Sequence, residues 1–271
     1  MTKHSHNKPI PCALTIAGSD CGGGAGIQTD LKTFAAFKVH GTSVVTCVTA
    51  QNPRSVWAVQ PVSAKVVEKQ FEALHDGFRP NAVKSGMLFA PSIVHKVIKG
   101  LTQAKPDWYV LDPVMVATSG GRLLKDSCIQ LIQEKLIPLA DLITPNLAEA
   151  EVLLNAAIRT PSQAKRAVKK LVDLYERPFL LKGGHLPAKG KVVDYLYDGK
   201  TMVLLESEYI PGKDTHGTGC TYAAAITAQL ALGQSLVPAV TLAKSFITKT
   251  IKHAYKTGEY EALNIWKAAH A

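Results

Sequence analysis

Short apolar runs alternate along this chain with longer segments in which apolar positions recur every three to four residues. The runs at 13–17, 43–48, 109–111, 139–144 and 179–181 have the length of buried strands. Between and around them, segments 27–37, 64–74, 91–101, 127–136, 147–155 and 162–175 carry the helical period. That alternation calls for parallel strands joined by crossover helices. The expected fold is therefore α/β, with three layers: a mostly parallel central sheet flanked by helices on both faces. Two later runs, 192–197 and 202–205, flank Asp198-Gly199-Lys200, a hairpin turn in which glycine supplies a positive φ. A loop at 211–216 then leads into two Ala-rich helices near 217–231 and 237–255.

With 271 residues and 46% hydrophobic content, the chain can bury a large core, and no linker or composition break divides it. A single domain over 1–271 is expected, with a flexible N-terminal tail at 1–10. His4 and His6 belong to that tail. The net charge of +10 is scattered, and its one dense run, Lys165, Arg166, Lys169 and Lys170, repeats at the spacing of a solvated helix face. Nucleic acid is not an expected partner. Five dispersed cysteines lack any CxxC or zinc spacing and read as reduced thiols. No apolar h-region opens the chain and no run of about 18 apolar residues interrupts it, so no membrane partner is expected and the cytoplasm is the expected compartment.

In a parallel sheet, ligands gather beyond the carboxyl ends of the strands, so polar residues at those ends carry the functional reading. Asp214-Thr215-His216-Gly217-Thr218-Gly219-Cys220 opens an Ala-rich helix, where unpaired N–H groups and the macrodipole favour an anion. Cys220 falls in the first turn, a position that lowers a thiol's pKa and lets a thiolate act as base. The same residues also suit a packing device with an inert cysteine. Ala17-Gly18-Ser19-Asp20 and the cluster Gly22-Gly23-Gly24-Ala25-Gly26 follow the first strand; their spacing fits a dinucleotide fingerprint poorly and suits a tight helix-to-sheet turn equally well. Asp112 ends one strand, and Asn146 and Glu149 lie three apart on one face of a helix's opening turn. They suit a phosphate-bridged Mg²⁺, or a plain helix cap. Lys182, before Gly183-Gly184-His185, is placed to neutralise phosphate charge.

Taken in order, LTIAGSD, GGAGIQTDLKTF, VVTCVTAQN, KSGML, VLDPVM, LITPNLAEAE, LLKGGH and DTHGTGCT resemble the ribokinase-like superfamily. Within it they are most similar to the hydroxymethylpyrimidine and phosphomethylpyrimidine kinases, over about residues 13–231. Sugar kinases of that superfamily have Asp where Cys220 stands. The resemblance implies ATP and Mg²⁺ as cofactors, a small pyrimidine as substrate, and a homodimer. The implied reaction phosphorylates 4-amino-5-hydroxymethyl-2-methylpyrimidine and then its monophosphate, for thiamine biosynthesis. Pyridoxal kinase is the alternative within the class, and a noncatalytic pyrimidine or nucleotide sensor the alternative outside it.

By the same resemblance, Gln51 contacts the pyrimidine, while Asp30, Gly18, Ala25, Met87 and Val114 line or close its pocket. A heteroaromatic ring wants just such an apolar slot with a few directional hydrogen bonds. Asp112 and Glu149 stand near the metal, and Asn146, Lys182, Thr218 and Gly219 near the ATP phosphates. Cys220, Lys182, Gly217 and Gly219 form the catalytic group, with Cys220 taking the hydroxyl proton. The chain departs from the family pattern at Gly22 and Thr29, usually Ser and Ala, and at its end, where a Gly-His-Gly-Pro run is common. A fused thiamine-phosphate synthase domain is not expected.

Overall fold

A computed structural model of the protein describes residues 10–115, 126–184, 186, 190–212 and 216–270. Residues 1–9 of the tail expected at 1–10, and the motif residues His185, Asp214 and Thr215, lie outside them.

The frame is a nine-stranded sheet with strand order β3-β2-β1-β4-β5-β6-β7-β8-β9. Its strands are β1 (Cys12–Asp20), β2 (His40–Asn52), β3 (Ser55–Pro61), β4 (Ala82–Ser85), β5 (Trp108–Leu111), β6 (Leu142–Ile143), β7 (Phe179–Leu181), β8 (Lys191–Tyr197) and β9 (Met202–Glu208). Pairing is parallel from β2 through β7. The outer pairs β2–β3, β7–β8 and β8–β9 are antiparallel. This is the expected α/β sheet with an antiparallel margin on each side.

Side chains alternate across the sheet, and each face is covered by its own helices. Leu14, Ile16, Val83, Leu111 and Ile143 face α2 (Ala64–His75), α3 (Pro91–Ala104), α4 (Asp126–Leu131), α5 (Leu147–Leu154) and α6 (Pro161–Tyr175). Ala13, Ala82, Val110, Leu142 and Leu180 face α1 (Gly26–Ala36), α7 (Thr218–Ala231), α8 (Leu236–Lys252) and α9 (Ile265–His270). α7 is buried along its whole length from Thr221 to Ala231. Its TYAAAITAQLA sequence makes that possible, because alanines let neighbouring backbones approach on every side.

Several boundaries differ from the periodicity, each for a local reason. α4 runs into a π-turn at Ile132–Leu136 and a 3₁₀ turn at Ile137–Leu139 that carries Pro138, so the strand expected from 139 shrinks to Leu142–Ile143. The last long helix stops at Lys252, and Tyr255 instead opens a hairpin of β10 (Tyr255–Thr257) and β11 (Tyr260–Ala262). β4 escapes a search for apolar runs because its Ala-Val-Lys-Ser sequence, buried at every position, includes a lysine.

Candidate active site

The carboxyl ends of the parallel strands deliver one polar group after another to the same sheet edge. Two register slips shape its first part. One falls between Ala17 and Ser19 in the β1–β2 pair, the other between Ala50 and Gln51 in the β2–β3 pair. Such bulges re-aim the side chains beyond them, here Asp20 and Gln51. A cavity of about 470 Å³ opens between this edge and the mouth of α7.

Gly18, Ala25, Gln51, Met87 and Val114 line one part of the cavity. Asp112, Asn146, Glu149, Lys182 and the turn from Gly217 to Cys220 line its middle. Asp30 does not join them. It is fully buried behind the wall, where its carboxylate accepts from the Thr15 hydroxyl at 2.6 Å and from Lys84 Nζ at 2.9 and 3.0 Å. The expected ring contact is replaced by a structural ion pair, since a carboxylate this deep needs a cation beside it. Lys84 is what reaches the cavity wall. Burial is the largest influence and works against its charge, but Asp30, Cys220 and Asp112 together outweigh it and raise its pKa.

The middle of the cavity is electrostatically dense. Lys182 Nζ lies 2.8 Å from Asp112 Oδ1, which also accepts from Thr144 at 3.0 Å. Burial alone would raise the Asp112 carboxyl; the ammonium groups of Lys182 and Lys84 overcome it and hold the carboxyl below its usual range. Asn146 and Glu149 form a reciprocal capping box on α5, with bonds of 2.8 and 2.9 Å. The capping reading of this pair is thus realised, and both residues still face the cavity. Burial lifts the Glu149 carboxyl to about 7, against the pull of Lys182 and with the push of Asp112. Among the described residues no group of three or more acidic, His or Cys side chains gathers as a metal site; Asp112 and Glu149 are two buried carboxylates on the cavity wall.

Gly217 caps α7 with φ +80°, and a Cβ there would stand 1.8 Å from the Gly24 carbonyl oxygen. Only glycine lets the two loops touch. At Gly219 an added Cβ would meet Lys182 Nζ at 3.3 Å, which puts the ammonium over the helix mouth. Thr218 Oγ1 is buried there without a protein partner. The depressed pKa expected for Cys220 is not found. Burial pushes its thiol up to about 11; Lys84 pulls it down, while Asp30 and Asp112 push it further up. Desolvation beats the helix terminus.

Beyond Lys182 the cavity continues along β8, β9 and α8, past Val192, Tyr209, Ile247 and Ile251. Asp194 organises this end, accepting from the Gly183 amide at 2.8 Å and from Lys244 at 2.7 Å. Sequence reasoning passed over Asp194 and Lys244, which lie in a plain strand and a plain helix. Asp20 and Lys84 fall inside the motifs LTIAGSD and KSGML, where neither stands out as a functional residue. Asp20-Cys21-Gly22, a strand-end Asp two places before a glycine, was the available sign of a turn-forming carboxylate.

A helix mouth receptive to anions, a lysine above it and buried carboxylates beside it belong to enzymes that transfer phosphoryl groups. The sheet and its cavity are those of the ribokinase-like class of small-molecule kinases. The family model for phosphomethylpyrimidine kinase matches residues 20–264. The hydroxymethylpyrimidine/phosphomethylpyrimidine kinase of Bacillus subtilis is 41% identical over 246 residues, covering 91% of each chain. A phosphomethylpyrimidine kinase structure from Clostridium difficile superposes with a TM-score of 0.79 at 41% identity, covering 90% of this chain and 100% of that one. The ADP complex of Bacillus subtilis pyridoxal kinase gives 0.87 at 38% identity, with coverages of 94% and 97%. The chain belongs to the phosphomethylpyrimidine kinase family, and it is a phosphotransferase.

Proposed function

We propose that this chain acts as one kinase domain that phosphorylates the hydroxymethyl group of 4-amino-5-hydroxymethyl-2-methylpyrimidine, and then the resulting monophosphate, with ATP as donor. The observation that carries this reading is that one cavity joins the slot of Gln51, Met87 and Val114 to the α7 mouth. The aminopyrimidine ring fits the slot, and its hydroxymethyl oxygen reaches toward the mouth. ATP lies along the other arm, its phosphates at Asn146, Lys182 and Thr218 and its base toward Val192 and Ile251.

In the transfer, the hydroxymethyl oxygen forms a bond to the γ-phosphorus as the bond to the bridging oxygen of ADP breaks. Amides of the turn from Gly217 to Cys220 hold the equatorial oxygens, and Lys182 compensates the charge that moves onto ADP. Asp112 and Glu149 are the residues that would hold Mg²⁺. When bound, that ion neutralises phosphate charge. Because Cys220 is a thiol before substrate arrives, it takes the hydroxyl proton only after its own proton has passed to a phosphate oxygen of the nucleotide, and a loose transition state asks for that help only late. We place the reaction in the cytoplasm, in a homodimer that buries the exposed Trp57 and Val48 of the β2–β3 margin.

ATP, Mg²⁺ and the pyrimidine should yield ADP and the phosphorylated ring, read by coupled assay and mass spectrometry. No ADP at saturating pyrimidine would sink the proposal. The similarity to a pyridoxal kinase supports one competing reading. A higher kcat/KM for pyridoxal than for the aminopyrimidine would select it.

A further inference from the structure

Lys182 carries its ammonium on a long flexible stem, so where that stem begins decides what the ammonium can touch. Its strand, β7, pairs with β8 as far as Leu181 opposite Tyr195 and then leaves the ladder. On one side the Lys182 amide donates to the Pro145 carbonyl at 2.9 Å, next to the bridge between Lys182 and Asn146. On the other side a side chain holds the residue that follows. The Gly183 amide donates to Asp194 Oδ1 at 2.8 Å, and a Cβ on Gly183 would stand 1.9 Å from the Val193 carbonyl oxygen. Only glycine can lie this close to β8. Asp194 Oδ2 accepts from Lys244 Nζ at 2.7 Å, and both side chains are buried.

A buried carboxylate needs its charge answered, and Lys244 answers it from α8. Asp194 can therefore line a phosphate-binding cavity with little net charge set against the nucleotide. As an ionised acceptor it holds an amide more firmly than a backbone carbonyl does. Pinned between Pro145 and Asp194, the backbone at Lys182 and Gly183 launches the lysine stem from a fixed point. From there Nζ stands 2.8 Å from Asp112 Oδ1 and over the α7 mouth. We infer that Asp194 is a positioning residue for the transfer: by holding the Gly183 amide it fixes the origin of Lys182, and so the place of the ammonium that meets the charge moving onto ADP. This inference deepens the kinase reading above and rests on it. Displacing such a group by about 1 Å can cost about a hundredfold in rate.

The test compares two double variants that both lack the Lys244 ammonium, so any part Lys244 itself plays at the nucleotide arm cancels. In the amide pair, Asp194→Asn with Lys244→Gln, a side-chain oxygen still accepts from Gly183. In the apolar pair, Asp194→Leu with Lys244→Met, groups of similar size replace both charges, a change that buried ion pairs tolerate with little loss of stability, and the Gly183 amide goes unanswered. At saturating ATP and pyrimidine the apolar pair should turn over about tenfold or more slower than the amide pair, with KM for the pyrimidine within about threefold. Equal kcat in the two overturns the inference, and so does a loss confined to KM. Built into Lys182→Met, the apolar pair should lower kcat no further, because the side chain that Asp194 positions is gone. A second fall of about tenfold there would mean a general structural role and overturns the inference too. Should the apolar pair fail to fold, hydrogen exchange of the wild-type protein decides: the Gly183 amide should be protected like those of β7, and rapid exchange overturns the inference. Wild-type protein that phosphorylates no pyrimidine defeats the kinase reading, whereas equal turnover by the two pairs defeats only this inference.

Discussion

Replacing Lys84 with methionine removes the ammonium that pairs with Asp30. Both side chains are 0% exposed, and Lys84 Nζ bonds both carboxylate oxygens at 2.9 and 3.0 Å. Methionine keeps most of the lysine stem, so the packing loss is small and the electrostatic loss dominates. In Lys84→Met, Asp30 retains the Thr15 hydroxyl at 2.6 Å. Breaking one side of such a pair costs about 3–5 kcal/mol, whereas replacing both partners is near neutral. For a chain of this size that corresponds to a Tm lower by roughly 6–20 °C.

The loss should also depend on pH. Without Lys84, burial raises the Asp30 carboxyl further in the folded state, so the folded protein binds the proton more tightly than the unfolded one. The penalty is then relieved as pH falls and is largest above the raised pKa. Urea unfolding at pH 5 and pH 8 would show Lys84→Met closer to wild type at pH 5. Lys84→Met combined with Asp30→Asn should recover most of the loss at both values. A loss under about 1 kcal/mol at pH 8, or one indifferent to pH, would refute the claim that this pair is a buried charge couple.

Peptide-mapped alkylation should find Cys220 slow at pH 8 and quickening toward pH 11, whereas the exposed Cys21 reacts earlier; rapid labelling of Cys220 at neutral pH would mean a thiolate is already present. Asp20, held down from 3.8 to about 2, contributes about 2 kcal/mol of stability above pH 4 that is lost as pH falls toward 2. Acid titration of Asp20→Asn should therefore be flatter in that window than wild type. Gly217→Ala should destabilise by more than about 1 kcal/mol and cut turnover, since its Cβ meets the Gly24 carbonyl, while Gly77→Ala, with open space around it, should change little. Lys182→Met should lower kcat about a hundredfold, as loss of a transition-state charge partner does, with a smaller change in KM for the pyrimidine.

The sheet was legible because its central strands are continuous apolar runs, and burial on both faces demands that composition. β4 was not, and the reason is Lys84. A strand read by hydrophobicity disappears when it carries a charge whose partner, Asp30, lies 54 positions away on α1. The same ion pair misplaced Asp30, because a carboxylate near a ring-binding motif reads as a ligand contact until its lysine is seen. Asn146 and Glu149 were visible as both a cap and a cavity pair, and they are both. For Cys220, position on the helix was readable and solvation was not. The first-turn effect on a thiol is local, whereas the desolvation that opposes it comes from strands and loops drawn from across the chain. Asp194 and Lys244 left no local trace, since their pairing joins a strand to a helix 50 positions on.

The contact between Asp20 and His216 spans 196 positions. On a ribosome, where N-terminal segments emerge and begin to fold first, the wall that reads the ring is made long before the helix mouth that grips phosphate. Until then the sheet face of Ala13, Ala82 and Val110 lacks the helix that covers it, so neither half of the site is complete. Competence for transfer arrives late in synthesis, when α7 slots under the sheet and its glycine turn closes on the first loop.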